Sequence, residues 1–241
     1  MLYKKTEAKV YARTQMRGIW GAMPYPFKPN GDLDEMQIRR DVRYYVDALK
    51  LDGIFCGGLV GECWALTMEE RRRGQAIVVD EVKGATQIIA HTGCNGIRDT
   101  VALSQHAQEV GATYVVLVNP PLTPHAPAQV LDYIRSVCAE VDLGVSLFNA
   151  GEVGYSLTPS QIAEIGAIEN VISVKNPQTP DHIAETRRLA SDSLLVCDPS
   201  EARFLDNIVQ HGDRYFMCSQ APLLLQRPGR LAMREYAQLA W

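Results

Sequence analysis

The residue with the clearest chemical potential is Lys175, which follows the apolar run Val171-Ile-Ser-Val174. Burying a charged amine is costly, so desolvation favours the neutral form, which is the form that attacks a ketone. The ordinary alternative is a lysine whose stem lies along the strand while its ammonium group reaches solvent. The pattern by itself leaves both interpretations open.

A glycine-rich segment, Gly57-Gly-Leu-Val-Gly-Glu62, follows an earlier apolar run. Glycines permit a tight turn, and the backbone N–H groups of such a turn can bind an anion such as a carboxylate. Glycines after a strand also occur in plain turns, so the segment is not specific alone. A neutral amine and a carboxylate-binding turn become a site only if the fold brings them to the same place.

Eight short apolar runs alternate with longer amphipathic stretches, as is typical of parallel βα units. Two of the stretches begin with clear helix signals, a capping box at Thr67-Met-Glu-Glu70 and Thr158-Pro159. A last helix is expected from near Leu223 to Trp241, broken at Pro228–Gly229. The eight runs are Gly18–Met23, Gly53–Gly57, Gln87–Thr92, Thr113–Val118, Gly144–Asn149, Val171–Lys175, Leu194–Cys197 and Tyr215–Cys218.

The number eight favours closure into a (β/α)8 TIM barrel, formed as one domain over residues 1–241. No dinucleotide-binding fingerprint, P-loop or linker supports an open sheet or a second domain. Active sites of such barrels lie at the carboxyl ends of the strands, and this would place the glycine-rich segment and Lys175 on one face.

Composition excludes several classes of protein. Hydrophobic residues make up 46% and charged residues 22%, and the net charge of −4 gives no reason to expect nucleic acid or an acidic membrane as a partner. No apolar run reaches about 18 residues, and the mixed-charge N-terminus does not resemble a signal peptide. The six cysteines form no CxxC pair, so we expect buried free thiols and a cytoplasmic location.

Five segments between Gly18 and Ala221 match the motifs of one enzyme superfamily in order and spacing. They are Ala22-Met-Pro-Tyr-Pro-Phe27 with Asn30-Gly-Asp-Leu-Asp34, similar to TPF…DG.D; Gly58-Leu-Val-Gly-Glu62 with Leu66-Thr-Met-Glu-Glu70, similar to GTTGE…LT.EE; His91-Thr-Gly-Cys-Asn95, similar to GTGSN; Phe148-Asn149 with Gly154-Tyr-Ser-Leu-Thr-Pro159, similar to YNVPGRTG…LSP; and Val174-Lys175-Asn176, similar to IKE. On these motifs the chain resembles a divergent member of the dihydrodipicolinate synthase and N-acetylneuraminate lyase superfamily.

The resemblance implies a class I aldolase-type lyase acting on pyruvate or a related 2-oxo acid. The family condenses the ketone with its lysine, here Lys175, and the imine serves as the electron sink, so no metal and no cofactor is implied. It also implies a homo-oligomer, a dimer or tetramer, although the family's C-terminal helical extension is largely absent. The carboxylate would bind at Gly58, Leu59, Val60, Gly61 and Glu62.

Several positions depart from the family's pattern. Leu59 and Val60 stand in place of two threonines, and Phe148 stands in place of the proton-shuttling tyrosine. Phenylalanine has no ionisable hydroxyl and so cannot act as an acid or base. Pro121-Leu122 stands where relatives have a tyrosine pair, and Glu152 stands where dihydrodipicolinate synthase has an arginine. Synthesis of dihydrodipicolinate and cleavage of sialate or sugar acids are therefore not expected.

The replacements give the site an apolar rim, to which Trp20 and Trp64 are also assigned. This predicts a hydrophobic or aromatic 2-oxo acid, as in the hydratase-aldolases that process aryl-substituted pyruvates, unless these side chains only pack. A proton donor is expected among His91, Glu62, Glu152, Tyr25, Ser146 and water.

Two other functions remain open. The chain could be a catalytically degenerate barrel that binds a small keto acid, or it could catalyse a non-aldol imine reaction such as decarboxylation. The run Arg71-Arg-Arg73 is interpreted as a solvated helix face.

Overall fold

The computed structural model describes residues 2–120, 126–151, 153–219 and 221–239, and its centre is a barrel of eight parallel strands. Strand β1 pairs with both β2 and β8, and β7 lies against β8, which brings the two ends of the sheet together. The predicted (β/α)8 TIM barrel is confirmed. Its strands are β1 Gly18–Ala22, β2 Gly53–Cys56, β3 Gln87–His91, β4 Tyr114–Val118, β5 Gly144–Phe148, β6 Val171–Lys175, β7 Leu195–Cys197 and β8 Tyr215–Cys218.

Helices follow the strands and surround the barrel. The capping box predicted at the start of α3 is present: the Thr67 N–H donates to the Glu70 carboxylate at 2.8 Å, and the Glu70 N–H donates to the Thr67 hydroxyl at 3.2 Å. Pro159 occupies the first turn of α6 as predicted. The helices are α1 Ala8–Gln15, α2 Glu35–Arg43 with a π turn over Tyr44–Ala48, α3 Met68–Val82, α4 Ile97–Val110, α5 Pro127–Glu140, α6 Pro159–Gly166, α7 Pro180–Ala190, α8 Phe204–His211, α9 Ala221–Leu225 and α10 Ala232–Gln238.

The expected last helix is divided in two. A short hairpin of β9 Gln226–Arg227 and β10 Arg230–Leu231 separates α9 from α10. Its turn is Pro228–Gly229, where proline cannot donate a helical hydrogen bond and Gly229 adopts a positive φ of 78°.

Helix α1, which the sequence patterns did not predict, closes the amino-terminal end of the barrel. Three cations spaced four residues apart each bind a carbonyl at the C-terminal end of a different barrel helix: Lys5, in the 3-10 turn Lys5–Glu7 that precedes α1, and Lys9 and Arg13 on α1 itself. Lys5 Nζ donates to Cys138 O at 2.6 Å, Lys9 Nζ to Gly166 O at 2.5 Å, and Arg13 NH2 to Ser191 O at 3.0 Å. Cations at helix C-termini satisfy the last carbonyls and favour the helix dipole.

An aromatic cluster fills the same end of the barrel. The Tyr3 hydroxyl donates to Thr113 O at 2.6 Å and accepts from the Gly144 N–H at 2.9 Å. Tyr3 stacks on Tyr11 at 4.5 Å between ring centroids, and Tyr114 lies 6.1 Å from Tyr3. The cluster ties the N-terminal segment to the barrel's interior.

Neither tryptophan assigned to the apolar rim lies there. Trp20 is fully buried, 6.3 Å from the ring of Tyr114, because Gly53 leaves room for its indole: a Cβ at Gly53 would lie 2.1 Å from that ring. Trp64 is 69% exposed. Within the described residues, no helix is both long enough and apolar enough to cross a membrane.

Candidate active site

Lys175 is the last residue of β6 and is only 4% exposed. Its Nζ lies 4.5 Å from the centroid of the Phe148 ring and 5.6 Å from that of Phe55. Burial lowers the pKa of the amine, and the thiols of Cys197 and Cys218 oppose this shift only in part. The side chain is therefore a buried amine biased toward its neutral, nucleophilic form, not a lysine that reaches solvent.

A cavity of about 630 Å³ extends from Lys175 at the carboxyl end of the barrel. It is larger than the space that pyruvate alone would fill, and both apolar and polar residues form its wall. Cavities of about 640 and 770 Å³ lie elsewhere, and neither reaches the lysine. The described lining is Leu59, Phe148, Ala150, Gly151, Val153, Ser156, Lys175, Pro177, Gln178, Pro199, Glu201, Cys218 and Ser219.

The glycine-rich segment forms one tight turn over Leu59–Gly61. The N–H groups of Gly61 and Glu62 donate inside the turn, to Gly58 O and Leu59 O, both at 3.0 Å. Across the described ranges, the N–H groups of Leu59 and Val60 make no hydrogen bond to another backbone group. These two donors are available for a bound anion.

Only one of the five segment residues predicted to bind substrate lines the cavity. Leu59 does so, whereas Val60 is half-buried against the core and Glu62 is exposed. Glu62 adopts a left-handed conformation with φ 53°, unusual for a residue with a side chain. Gly58 is required sterically, because a Cβ there would lie 2.7 Å from the Phe55 ring.

The wall beside Phe148 is held by a buried asparagine. Phe148 pairs with Lys175 in the β5–β6 register, and Asn149 follows it. The Asn149 amide donates to Leu157 O and to the Asn176 side chain, both at 3.0 Å, and its carbonyl accepts from the Leu157 N–H at 2.7 Å. These bonds fix both ends of the loop that supplies Ala150, Gly151, Val153 and Ser156 to the cavity.

The described candidates for a proton donor lie outside the cavity lining. Burial, with Arg71 close by, lowers the pKa of His91 to about 3, so its imidazole is uncharged near neutrality. Burial raises the pKa of Tyr25 well above its usual range. Ser146 is buried and accepts a hydrogen bond from Ser173 at 2.7 Å. Two further sequence candidates, Leu122 and Glu152, lie outside the described residues.

Arg71 is buried, and so the interpretation of Arg71–Arg73 as a solvated face is wrong for its first residue. Its guanidinium donates to the carbonyls of His91 and Gly93 at 3.2 and 3.1 Å and to Cys94 Sγ at 3.0 Å. Arg71 therefore fixes the loop after β3, while Arg72 and Arg73 are exposed.

Sequence reasoning missed the polar part of the cavity wall. Glu201 is the one carboxylate among the described lining residues, with Ser156, Gln178 and Ser219 as neutral polar groups. Glu201 lies beyond Cys197, the predicted end of the seventh strand, and thus past the strand ends where the sequence located the site. Extending the search into the next turn would have found it. Among the described residues, no three of His, Cys, Asp and Glu come together as a metal site.

Comparisons with known proteins all point to the same family. The sequence model of the "Dihydrodipicolinate synthetase family" matches residues 15–215. An N-acetylneuraminate lyase from Fusobacterium nucleatum is 26% identical over 182 residues, covering 75% of this chain and 63% of the relative. A 4-hydroxy-tetrahydrodipicolinate synthase from Desulforudis audaxviator is 32% identical over 177 residues, covering 73% and 60%.

Among solved structures, a prophage protein from E. coli K12 of the dihydrodipicolinic acid synthase family, crystallised with pyruvate, superposes with a TM-score of 0.77. It is 24% identical, and the match covers 92% of this chain and 79% of that one. At this identity the likeness establishes the fold. The chain spans less than two thirds of the length of the two curated relatives.

Proposed function

Because the chain belongs to the dihydrodipicolinate synthetase family, we propose that it is a class I aldolase-type lyase in which Lys175 forms a Schiff base with a pyruvate-type 2-oxo acid. The observation that carries the proposal is the buried amine of Lys175 facing a cavity of about 630 Å³. A neutral amine in this position needs no metal or organic cofactor to activate a ketone.

The reaction begins when the Lys175 Nζ lone pair attacks the ketone carbon. One proton passes from the nitrogen to the former carbonyl oxygen and a second comes from solvent, so that the oxygen leaves as water and the nitrogen is left as a protonated imine. That cation accepts the electron pair of a breaking carbon–carbon bond and becomes an enamine; where a carbon–oxygen bond breaks instead, the cation accepts the electron pair of the adjacent carbon–hydrogen bond, and the oxygen leaves with its own pair. Protonation of the enamine carbon restores the imine. Hydrolysis of the imine returns the free lysine and releases the 2-oxo acid.

The substrate carboxylate would be held by the backbone N–H groups of Leu59 and Val60. The family's threonine hydroxyls are absent at these positions, so the anion loses hydrogen bonds that its relatives provide. We therefore expect weaker binding of pyruvate itself, with more of the affinity coming from the remainder of the substrate.

That remainder is proposed to be hydrophobic or aromatic. The wall around Lys175 presents Leu59, Phe148, Val153, Pro177 and Pro199, which favour an apolar substituent over the hydroxyl groups of a sugar acid. Polar contacts from this wall would come from Ser156, Gln178 and Glu201.

A second function is supported by Phe148. At the position of the family's tyrosine it has no proton to give, and no tyrosine hydroxyl is among the described cavity residues. An imine reaction that releases CO2, or binding of a keto acid without turnover, does not require that hydroxyl.

The family likeness also leads us to propose a cytoplasmic homo-oligomer, a dimer or tetramer.

The test is reductive trapping. The protein is incubated with pyruvate and a borohydride, and its intact mass is compared with that of Lys175→Ala treated in parallel. A pyruvate-sized increase that the variant lacks supports the imine. A panel of aryl, aliphatic and sugar-derived 2-oxo acids then ranks substrates. Preference for sugar acids would contradict the apolar substrate class, and no adduct with any acid would favour binding without imine formation.

A further inference from the structure

Two aromatic rings face the reactive nitrogen. Phe148 and Phe55 lie 4.5 and 5.6 Å from Lys175 Nζ, measured to the ring centroids. The two rings meet edge to face, with centroids 6.2 Å apart and planes at 78°. Both side chains are at most 9% exposed, so the arrangement is shielded from solvent.

Charged partners do not explain the position of the nitrogen. In the described part of the chain no carboxylate lies within ion-pair distance of Lys175. Burial raises the pKa of the neighbouring Cys197 thiol to about 12, so this thiol is uncharged near neutrality. A positive charge at Nζ therefore meets the faces of two aromatic rings at a position with little exposure to solvent.

We propose that Phe55 and Phe148 form an aromatic bracket that stabilises the positive charge of the protonated imine at Lys175. The proposal rests on the proposed function, because it names the groups that serve its charged intermediate. The negative face of each ring attracts a cation within about 6 Å, and the attraction is stronger where water is excluded.

The bracket gives Phe148 a catalytic part despite its missing hydroxyl. A tyrosine at this position presents both a ring and a proton, and phenylalanine retains only the ring. Phe148 can thus assist the formation of the iminium but not the proton transfers that follow it. This favours reactions in which formation of the protonated imine is the difficult step.

Phe55 has an additional structural part. Its ring passes so close to Gly58 that a Cβ there would lie 2.7 Å away, and it therefore also supports the start of the anion-binding turn. Changes at Phe55 affect both the carboxylate and the amine, whereas Phe148 does not contact that turn's glycine. Phe148 is consequently the cleaner position for a test.

The test compares Phe148→Leu, which keeps an apolar side chain without a ring, with Phe148→Tyr, which keeps the ring. Phe216→Leu is the matched control, since Phe216 packs on Phe204 at 4.7 Å and is not among the cavity residues. The first readout is the pH midpoint at which Lys175 is methylated by formaldehyde and cyanoborohydride, followed on its peptide by mass spectrometry. It needs no 2-oxo acid.

Loss of the ring should lower this midpoint by about 0.4 to 1.5 pH units, because the ammonium loses its aromatic partner. Simple loosening of the site would admit water and raise the midpoint instead. The second readout is pyruvate trapping below saturation, which should fall about 2- to 30-fold in Phe148→Leu. Phe148→Tyr and Phe216→Leu should match the wild type in the midpoint.

An unchanged or raised midpoint in Phe148→Leu overturns the bracket, whatever the trapping result. If the midpoint falls but the wild-type protein forms no adduct with any 2-oxo acid, the proposed function fails while ring stabilisation of charge at Lys175 stands. Phe55→Leu should shift the midpoint in the same direction and by less, since its ring is farther from Nζ.

Discussion

The two ends of the barrel use aromatic residues for different purposes. At the amino-terminal end, Tyr3, Tyr11, Trp20 and Tyr114 pack against one another, and the Tyr3 hydroxyl joins two strands. At the carboxyl end, Phe55 and Phe148 surround a lysine amine and leave a cavity beside it. The first end is filled for stability and the second is left incomplete for a ligand, as barrel enzymes generally are.

Replacing Lys175 by methionine should have the largest effect, abolishing the chemistry while raising stability. The adduct should vanish completely, because no other described lysine lines the cavity. The free energy of unfolding should rise by about 1–3 kcal/mol, since a buried amine is exchanged for an apolar side chain of similar size. Intact mass after trapping and urea unfolding measure the two effects. A loss of stability would mean that the amine has a partner that stabilises it.

Trp20→Ala tests the opposite end. Removal of this fully buried indole should lower the free energy of unfolding by about 3–5 kcal/mol. The fraction of folded protein that is trapped by pyruvate should equal that of the wild type, because Trp20 is not part of the cavity. Urea unfolding and trapping on one preparation provide both values. A proportional fall in trapping per folded molecule would show that the two ends are coupled.

Tyr3→Phe isolates one hydroxyl at the closed end. The Thr113 carbonyl and the Gly144 N–H would each lose a buried partner, at a cost of about 1–3 kcal/mol in unfolding free energy. Tyr11→Phe is the control, since it removes a hydroxyl from the adjacent, half-exposed ring, and should stay within about 0.5 kcal/mol of wild type. Equal effects in the two variants would assign the stabilisation to the rings alone.

The smallest expected effect is on the pH dependence of the free energy of unfolding, to which the two ends of the barrel contribute with opposite sign. The pKa of Lys175 is lowered from 10.5, so between its folded and unfolded values the unfolded chain holds more protons and stability rises with pH. Burial raises the pKa values of Tyr3 and Tyr114, so above about pH 10 the unfolded tyrosines ionise first and stability falls.

Unfolding free energies measured from pH 7 to 11 give the curve. Wild type should show the rise followed by the fall, and Lys175→Met should lose the part of the rise that comes from Lys175. An identical curve in the variant would mean that Lys175 is not desolvated in the folded state.

Much of the carboxyl end was predictable from sequence. The periodic apolar runs located all eight strands, the capping signals located helix starts, and the ordered motifs identified the family, which the match over residues 15–215 confirms. The role of Lys175 in imine formation stays a prediction. These features succeed because each is encoded within a few neighbouring residues or in motif order.

The misses share a different cause. Helix α1 is held by residues more than a hundred positions away, such as Gly166 and Ser191, and its own sequence has no strong apolar period. Arg71 resembled a surface residue because a local charge run does not reveal that α3 turns its first turn toward the end of β3. The depth of Trp20 in the barrel depends on the missing side chain of Gly53, another strand's residue. Such properties follow from tertiary contacts.

The row of three cations, Lys5, Lys9 and Arg13, has a consequence for the order in which the molecule is built. Each of them leaves a ribosome well before its carbonyl partner at Cys138, Gly166 or Ser191. The contacts of α1 can therefore be complete only after Ser191 has been synthesised. Contacts between residues so far apart in sequence slow folding, so we expect the amino-terminal end of the barrel to close late in folding.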